Sequence, residues 1–179
     1  MTAVATPTVQ AEPYPVTEQE DNNFHFVTEH GNEYQITFSK YWQQDIVDLY
    51  LGFRVPVYEF YFEVMAKNHS GMDKRIAPTL FDIFDKFLLR TGSVIFYITQ
   101  RDDGRSKELF KVYQLWYNLY KRSRGDELVK LDRAVYYGDT AEAYLACMFL
   151  RGTVKDKRIP LLVNTILEEI YPNATVSSL

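Results

Sequence analysis

Two charged corners carry the residue types from which a site could be built. The first is "QRDDGRSK", residues 100–107, where Asp102, Asp103, Arg105 and Lys107 surround Gly104 between an apolar, strand-like run and a long aromatic segment. Open α/β sheets bind ligands outside the carboxyl ends of their strands, and the unpaired amides that open the next helix favour an anion. The same residues also make an ordinary capped turn, with Asp102, Asp103 or Ser106 accepting from helix amides and Gly104 easing the bend. The second corner is "MDKRIAP", residues 72–78, where Asp73 and Arg75 again follow a strand and enter a helix. If the two strands are neighbours, Asp73, Arg75, Asp103 and Arg105 meet on one rim. There they either pin the loops as ion pairs or present a recognition point to a ligand or partner. The capped turn and structural anchor is the simpler of the two readings.

Other chemistry has less support. His25, His30 and His69 show no spacing to Cys or His that would hold zinc, so no metal site is expected. Cys147 sits in an apolar run and reads as a buried small hydrophobe. Neither G-x-S-x-G, a P-loop nor G-x-G-x-x-G occurs, which removes the usual support for hydrolase, nucleotide-triphosphatase and dinucleotide readings. The run "YQLWYNLYKRSR" mixes aromatics with bases, but at helical spacing its rings belong to a core before they stack on nucleobases.

The elements that must position these residues follow from periodicity. Residues 1–22, with three prolines and no apolar repeat, read as a flexible extension. "FHFVTE" and "EYQITF" alternate around "HGN", where Gly31 and Asn32 can supply positive φ, so a hairpin is expected. "SKYWQQDIVDLYLGF" spaces Trp42, Ile46, Leu49, Tyr50 and Phe53 as a helix that Ser39 would cap and Gly52 would end. "VYEFYFEVMA" is a strand with Tyr58, Phe60, Phe62 and Val64 on one face and Glu59 and Glu63 on the other. Ile76, Leu80, Ile83, Phe84, Phe87 and Leu88 form the stripe of a helix ending before Gly92, and "SVIFYIT" is an interior strand.

Residues 105–122 read as a helix whose polar positions Lys107, Lys111, Gln114, Asn118 and Lys121 form only a narrow stripe. Phe110, Trp116, Tyr117 and Tyr120 belong to an apolar remainder wider than one sheet can cover, so part of it is expected to meet another chain. "ELVKL", "RAVYY" and "AEAYLACMFLRG" follow as strands, and "PLLVNTILEEIY" as a closing helix. The order predicts an α+β fold, also describable as mixed α/β. Its sheet is mixed but mostly antiparallel, with a central strand-helix-strand crossover over 57–99 and helices packed on it. The domain is expected over 23–171, with 172–179 a short tail.

Composition sets the outer limits. The chain has 179 residues, 46% of them hydrophobic and 16% aromatic, enough for one core. A net charge of -4 argues against a general polyanion binder, although nine bases against six acids fall in 101–133. No run approaches the roughly 20 apolar residues that cross a bilayer, the start lacks a secretory signal, and there is one cysteine. A cytoplasmic protein with no membrane association is expected.

The alternating "YEFYFEV", "D-x-R-I" at 73–76, "VIFYIT", "DDGR" and the F-x-x-x-x-x-W of the aromatic helix together resemble a small domain of unknown function associated with Bacteroidota. The resemblance spans about residues 34–171, with Asp73, Arg75, Ile76, Asp103, Arg105 and Trp116 at matching positions. It implies a bacterial intracellular protein and no particular activity. More weakly, residues 57–122 look like the coenzyme-binding half of the acetyltransferase fold. That family's pyrophosphate loop is Arg/Gln-x-x-Gly-x-Gly/Ala; here "HSGMDKRIAP" keeps Gly71, lacks the second and third positions, and places Pro78 where an amide would be needed.

Together these features favour a non-enzymatic interaction protein, without cofactor, that self-associates or docks a protein partner. The alternative is an acyl-CoA-dependent acyltransferase-like enzyme using residues 69–79 for its cofactor, with Tyr97 or Tyr136 as the acid.

Overall fold

The computed structural model describes residues 11–52, 54–71, 73–99, 105–138, 140–152 and 158–179. Asp102, Asp103 and Gly104 of the first corner lie outside them. In chain order the elements are β1 (Thr17–Glu18), a 3-10 turn (Glu20–Asn22), β2 (Asn23–Val27), β3 (Glu33–Lys40), α1 (Gln44–Leu51) and β4 (Val57–Ala66). There follow α2 (Ile76–Thr91), β5 (Val94–Thr99), α3 (Ser106–Arg124), β6 (Leu128–Tyr137), β7 (Thr140–Leu150), α4 (Ile159–Ile170) and β8 (Thr175–Ser178). The strands form one sheet in the order β1-β2-β3-β4-β5-β7-β6-β8. β4 and β5 pair in parallel because α2 carries the chain back between them, and the other pairings are antiparallel. This is the α+β architecture and central crossover that the alternation and helical stripes imply.

Helices cover both faces. On one, α2 and α3 bury the even positions of β3 and β4 with Ile95, Tyr97, Ala146 and Met148. On the other, α4 and Val47 of α1 close over Val57, Val94, Phe96, Leu145, Cys147 and Phe149. β5, in the middle and covered twice, is therefore apolar along its length. Cys147 is buried as expected, and its thiol is pushed up by desolvation, so it is no nucleophile. Tyr41 lies in the second core, and burial, reinforced by Glu169 and Glu59, pushes its phenol up to about 12. The unfolded phenol ionises near 10, so stability from this group is complete below pH 10 and is lost as pH rises toward 12. The difference between wild-type and Tyr41→Phe thermal melts should hold level up to that lower value, and above it the wild type should lose stability faster than the variant.

Several expectations are corrected by packing. Residues 11–22 are docked on the domain: Tyr14 is 6% exposed and β1 pairs with β2. Nor is 172–179 a loose tail, since β8 adds to the sheet beside β6. "ELVKL" and "RAVYY" are one strand, β6. Ser39 belongs to β3, so α1 starts at Gln44, and Trp42 and Leu49 are 77% and 80% exposed while Val47 points inward. In the hairpin only Gly31 takes positive φ. Asn32 is instead buried, its Oδ1 accepting the Asn68 and His69 amides and its Nδ2 donating to the His69 carbonyl, which ties the turn to the loop after β4.

Candidate functional site: the two faces of helix α3

The Asp73/Arg75 corner is occupied by the chain's own N-terminal segment. Arg75 donates from Nε to the Glu12 carbonyl (2.7 Å) and from a terminal nitrogen to that of Pro13 (3.2 Å), and it pairs with Glu29. Its guanidinium lies 3.9 Å from the centre of the Tyr14 ring. The Tyr14 hydroxyl donates to Asp73 (2.7 Å), and the Tyr14 amide donates to the Thr79 hydroxyl (2.8 Å). The start of α2 also spends donors internally. The Arg75 amide bonds the Asp73 carboxylate, those of Ile76 and Thr79 bond the carbonyls of Asp73 and Arg75, and Pro78 has none. The corner is a latch for residues 12–14, and Asp73 and Arg75 are committed to it. Arg105, exposed, is the N-cap residue of α3; whether it meets Asp103 falls outside the described residues.

Helix α3 is where polar and apolar chemistry coincide. Its inner face is aromatic. Phe110 stacks on Tyr144 (4.9 Å), and Tyr120 stacks on Phe81 (4.6 Å) while donating to Asp85. Both are buried, at 3% and 5% exposure, so these two expected interface residues belong to the chain's own core. Trp116 and Tyr117 are half-buried against the same core, and the Tyr117 hydroxyl donates to the Leu128 carbonyl. Its outer face is aliphatic: Val112, Leu115 and Leu119 are 36%, 51% and 46% exposed. The apolar surplus legible in the sequence is real, but it consists of aliphatic residues, because rings bury more area against the sheet and take the inner face.

Beneath α3 the sheet places three polar side chains. The register aligns Tyr97 of β5, Ala146 of β7 and Asp132 of β6 in one row, with Lys130 and Met148 in the next. The small Ala146 stands between Tyr97 and the acid. Lys130 pairs with Asp132, and its ammonium sits 5.0 Å from the Phe110 ring centre and 5.6 Å from that of Tyr117. The lysine side chain is 2% exposed, and burial lowers its pKa against the opposing pull of Asp132. The fully buried Tyr97 hydroxyl makes no hydrogen bond to any described residue, and burial holds its pKa well up, with Asp132 and Tyr113 adding to the effect. It therefore keeps its proton and is a donor in search of an acceptor. Tyr136, the other candidate acid, packs half-buried against the same core.

Lys130 and Asp132 had a faint signal in the sequence: within "LVKLDRAVYY" they share one face of a strand whose other residues on that face are apolar. The role of Tyr14, a lone ring between prolines, had none. Elsewhere, a cleft of about 330 Å³ between α1 and β4 includes Lys40, Gln44, Asp48 and Arg54. There Gln44 bonds Asp48, the Val55 carbonyl and the Val57 amide, and Asp48 faces Arg54, so its polar groups largely satisfy one another. The His30 and His69 rings meet at a tilt, 4.5 Å apart, but among the described residues no three His, Cys, Asp or Glu gather as metal ligands. No helix among the described residues is long and apolar enough to cross a membrane. Compared with protein-family models, curated proteins and solved structures, the chain matches none, so its reading rests on its own residues.

Proposed function

We propose that this chain is a non-enzymatic interaction domain that pairs with a second copy of itself through the outer face of α3. The observation that carries this reading is the line of exposed side chains along the helix. Positions 108, 112, 115, 119 and 122 recur every three or four residues and hold Glu, Val, Leu, Leu and Arg. An apolar centre with an acid at one end and a base at the other is self-complementary when two such helices run antiparallel about a two-fold axis near Leu115. Glu108 then faces Arg122 of the partner subunit at both ends of the seam. The exposed rim of the same helix, with Lys111 and Asn118, stays wet.

Light scattering or sedimentation equilibrium tests this directly, with a dimer mass expected for the wild type. Leu115→Glu would place a charge at the two-fold axis against its own copy and should weaken association by at least about tenfold. Glu108→Arg should weaken pairing through like charges, and adding Arg122→Glu should restore it, a rescue that only the antiparallel arrangement gives. A wild type of monomer mass at its highest soluble concentration overturns the proposal. A dimer indifferent to all three variants overturns the seam.

A further inference from the structure

We propose that the space between α3 and the sheet is a binding site for a small neutral aromatic molecule bearing one hydroxyl, a phenol, admitted when the Trp116 side chain swings outward. Four observations meet there. The walls are ring faces and edges, among them Phe60, Phe84, Tyr113 and Trp116, which suit a flat apolar body. The Tyr97 hydroxyl lines the space, is fully buried, and has no protein partner among the described residues. Buried donors without acceptors are rare and mark places where something else completes the hydrogen bond. Lys130 also lines the space, its ammonium already paired with Asp132, so an incoming hydroxyl can accept from Tyr97 beside a cation whose charge is matched.

The fourth observation concerns charge and access. Lysine and aspartate already neutralise each other, so a charged guest would leave a net charge in an apolar setting, whereas a neutral one does not. As it stands the cavity is about 10 Å³, room for a single water. Its outer wall is Trp116, half-buried at the flank of α3 and touching Tyr113 edge to face (5.5 Å). Turning that indole toward solvent opens space for one ring without moving the sheet. The guest ring takes the place of the indole, an exchange of aromatic contact that keeps Phe84 and Tyr113 covered.

Phenol, toluene and benzoate are the probes, chosen to share a ring and to differ in the polar group. In the full chain carrying Trp42→Phe, which removes the exposed second tryptophan, Trp116 emission should shift on titration with phenol. Toluene should need at least about tenfold more for the same change, and benzoate should give none. Tyr97→Phe should erase the preference of phenol over toluene, and Trp116→Ala, read by titration calorimetry because it removes the reporter, should tighten phenol binding by removing the displaced wall. No emission change with phenol, or a phenol preference that survives Tyr97→Phe, overturns the proposal. If Tyr97→Phe fails to fold, phenol is set against toluene in the Trp42→Phe chain alone, and a preference of less than about tenfold overturns the proposal equally.

Discussion

Asp132→Ala should cost about 3–5 kcal/mol of folding stability, because it leaves the Lys130 ammonium buried without its counter-charge. Cation-ring contact with Phe110 and Tyr117 recovers only part of this, on the order of 1–2 kcal/mol when desolvated. The loss has an upper bound, since the lysine can surrender its proton and stay buried as a neutral amine. That bound carries a sign in pH. The folded pKa of Lys130 already lies below its ordinary value and falls further without Asp132. The unfolded chain therefore binds the extra proton, and the penalty is greatest at neutral pH and shrinks as pH rises toward the unfolded lysine value. Denaturant melts at rising pH should show the variant converging on the wild type. Lys130→Met added to Asp132→Ala should recover most of the stability, since an apolar side chain of similar length fills the same space. A single variant that melts with the wild type would mean that the pair is solvated and that the layer beneath α3 is looser than described.

Tyr14→Ala should be comparably damaging, at about 3–5 kcal/mol, or about 6–20 °C in melting temperature for a chain of this size. The ring stacks on Phe26 at 6.0 Å, lies under the Arg75 guanidinium and is almost wholly buried. Tyr14→Phe keeps the ring and loses the hydroxyl's bond to Asp73 together with the one it accepts from the Glu29 amide, so about 1–2 kcal/mol is expected. Arg75→Ala removes the two carbonyl contacts that hold residues 12 and 13. Combined with Tyr14→Ala it should cost less than the sum of the two, because both act on one latch. Wild-type melting of Tyr14→Ala would show that residues 11–22 contribute nothing to the fold and are an extension after all.

The latch shows why the charged corners were ambiguous. An Asp and an Arg entering a helix look alike whether they await a ligand or a segment of their own chain. The deciding partners, Tyr14 and Glu29, lie 59 and 46 residues away from Asp73 and Arg75. Surface charge pairs carry no pattern that propagates along the sequence, so only coordinates assign them.

Periodicity, by contrast, was enough for most elements. The stripe from Ile76 to Leu88, the unbroken apolar run of β5 and the alternation in β4 each follow from a helix or strand meeting a core on a known number of sides, a local rule that the sequence carries in full. The apolar excess of α3 was legible for the same reason. Tertiary structure alone decided which part of that excess turns outward, that Lys130 and Asp132 lie under it with Tyr97 across Ala146, and that β1 and β8 join the sheet. Each depends on register between strands distant in sequence, and a shift of one residue would send every one of those side chains to the opposite face.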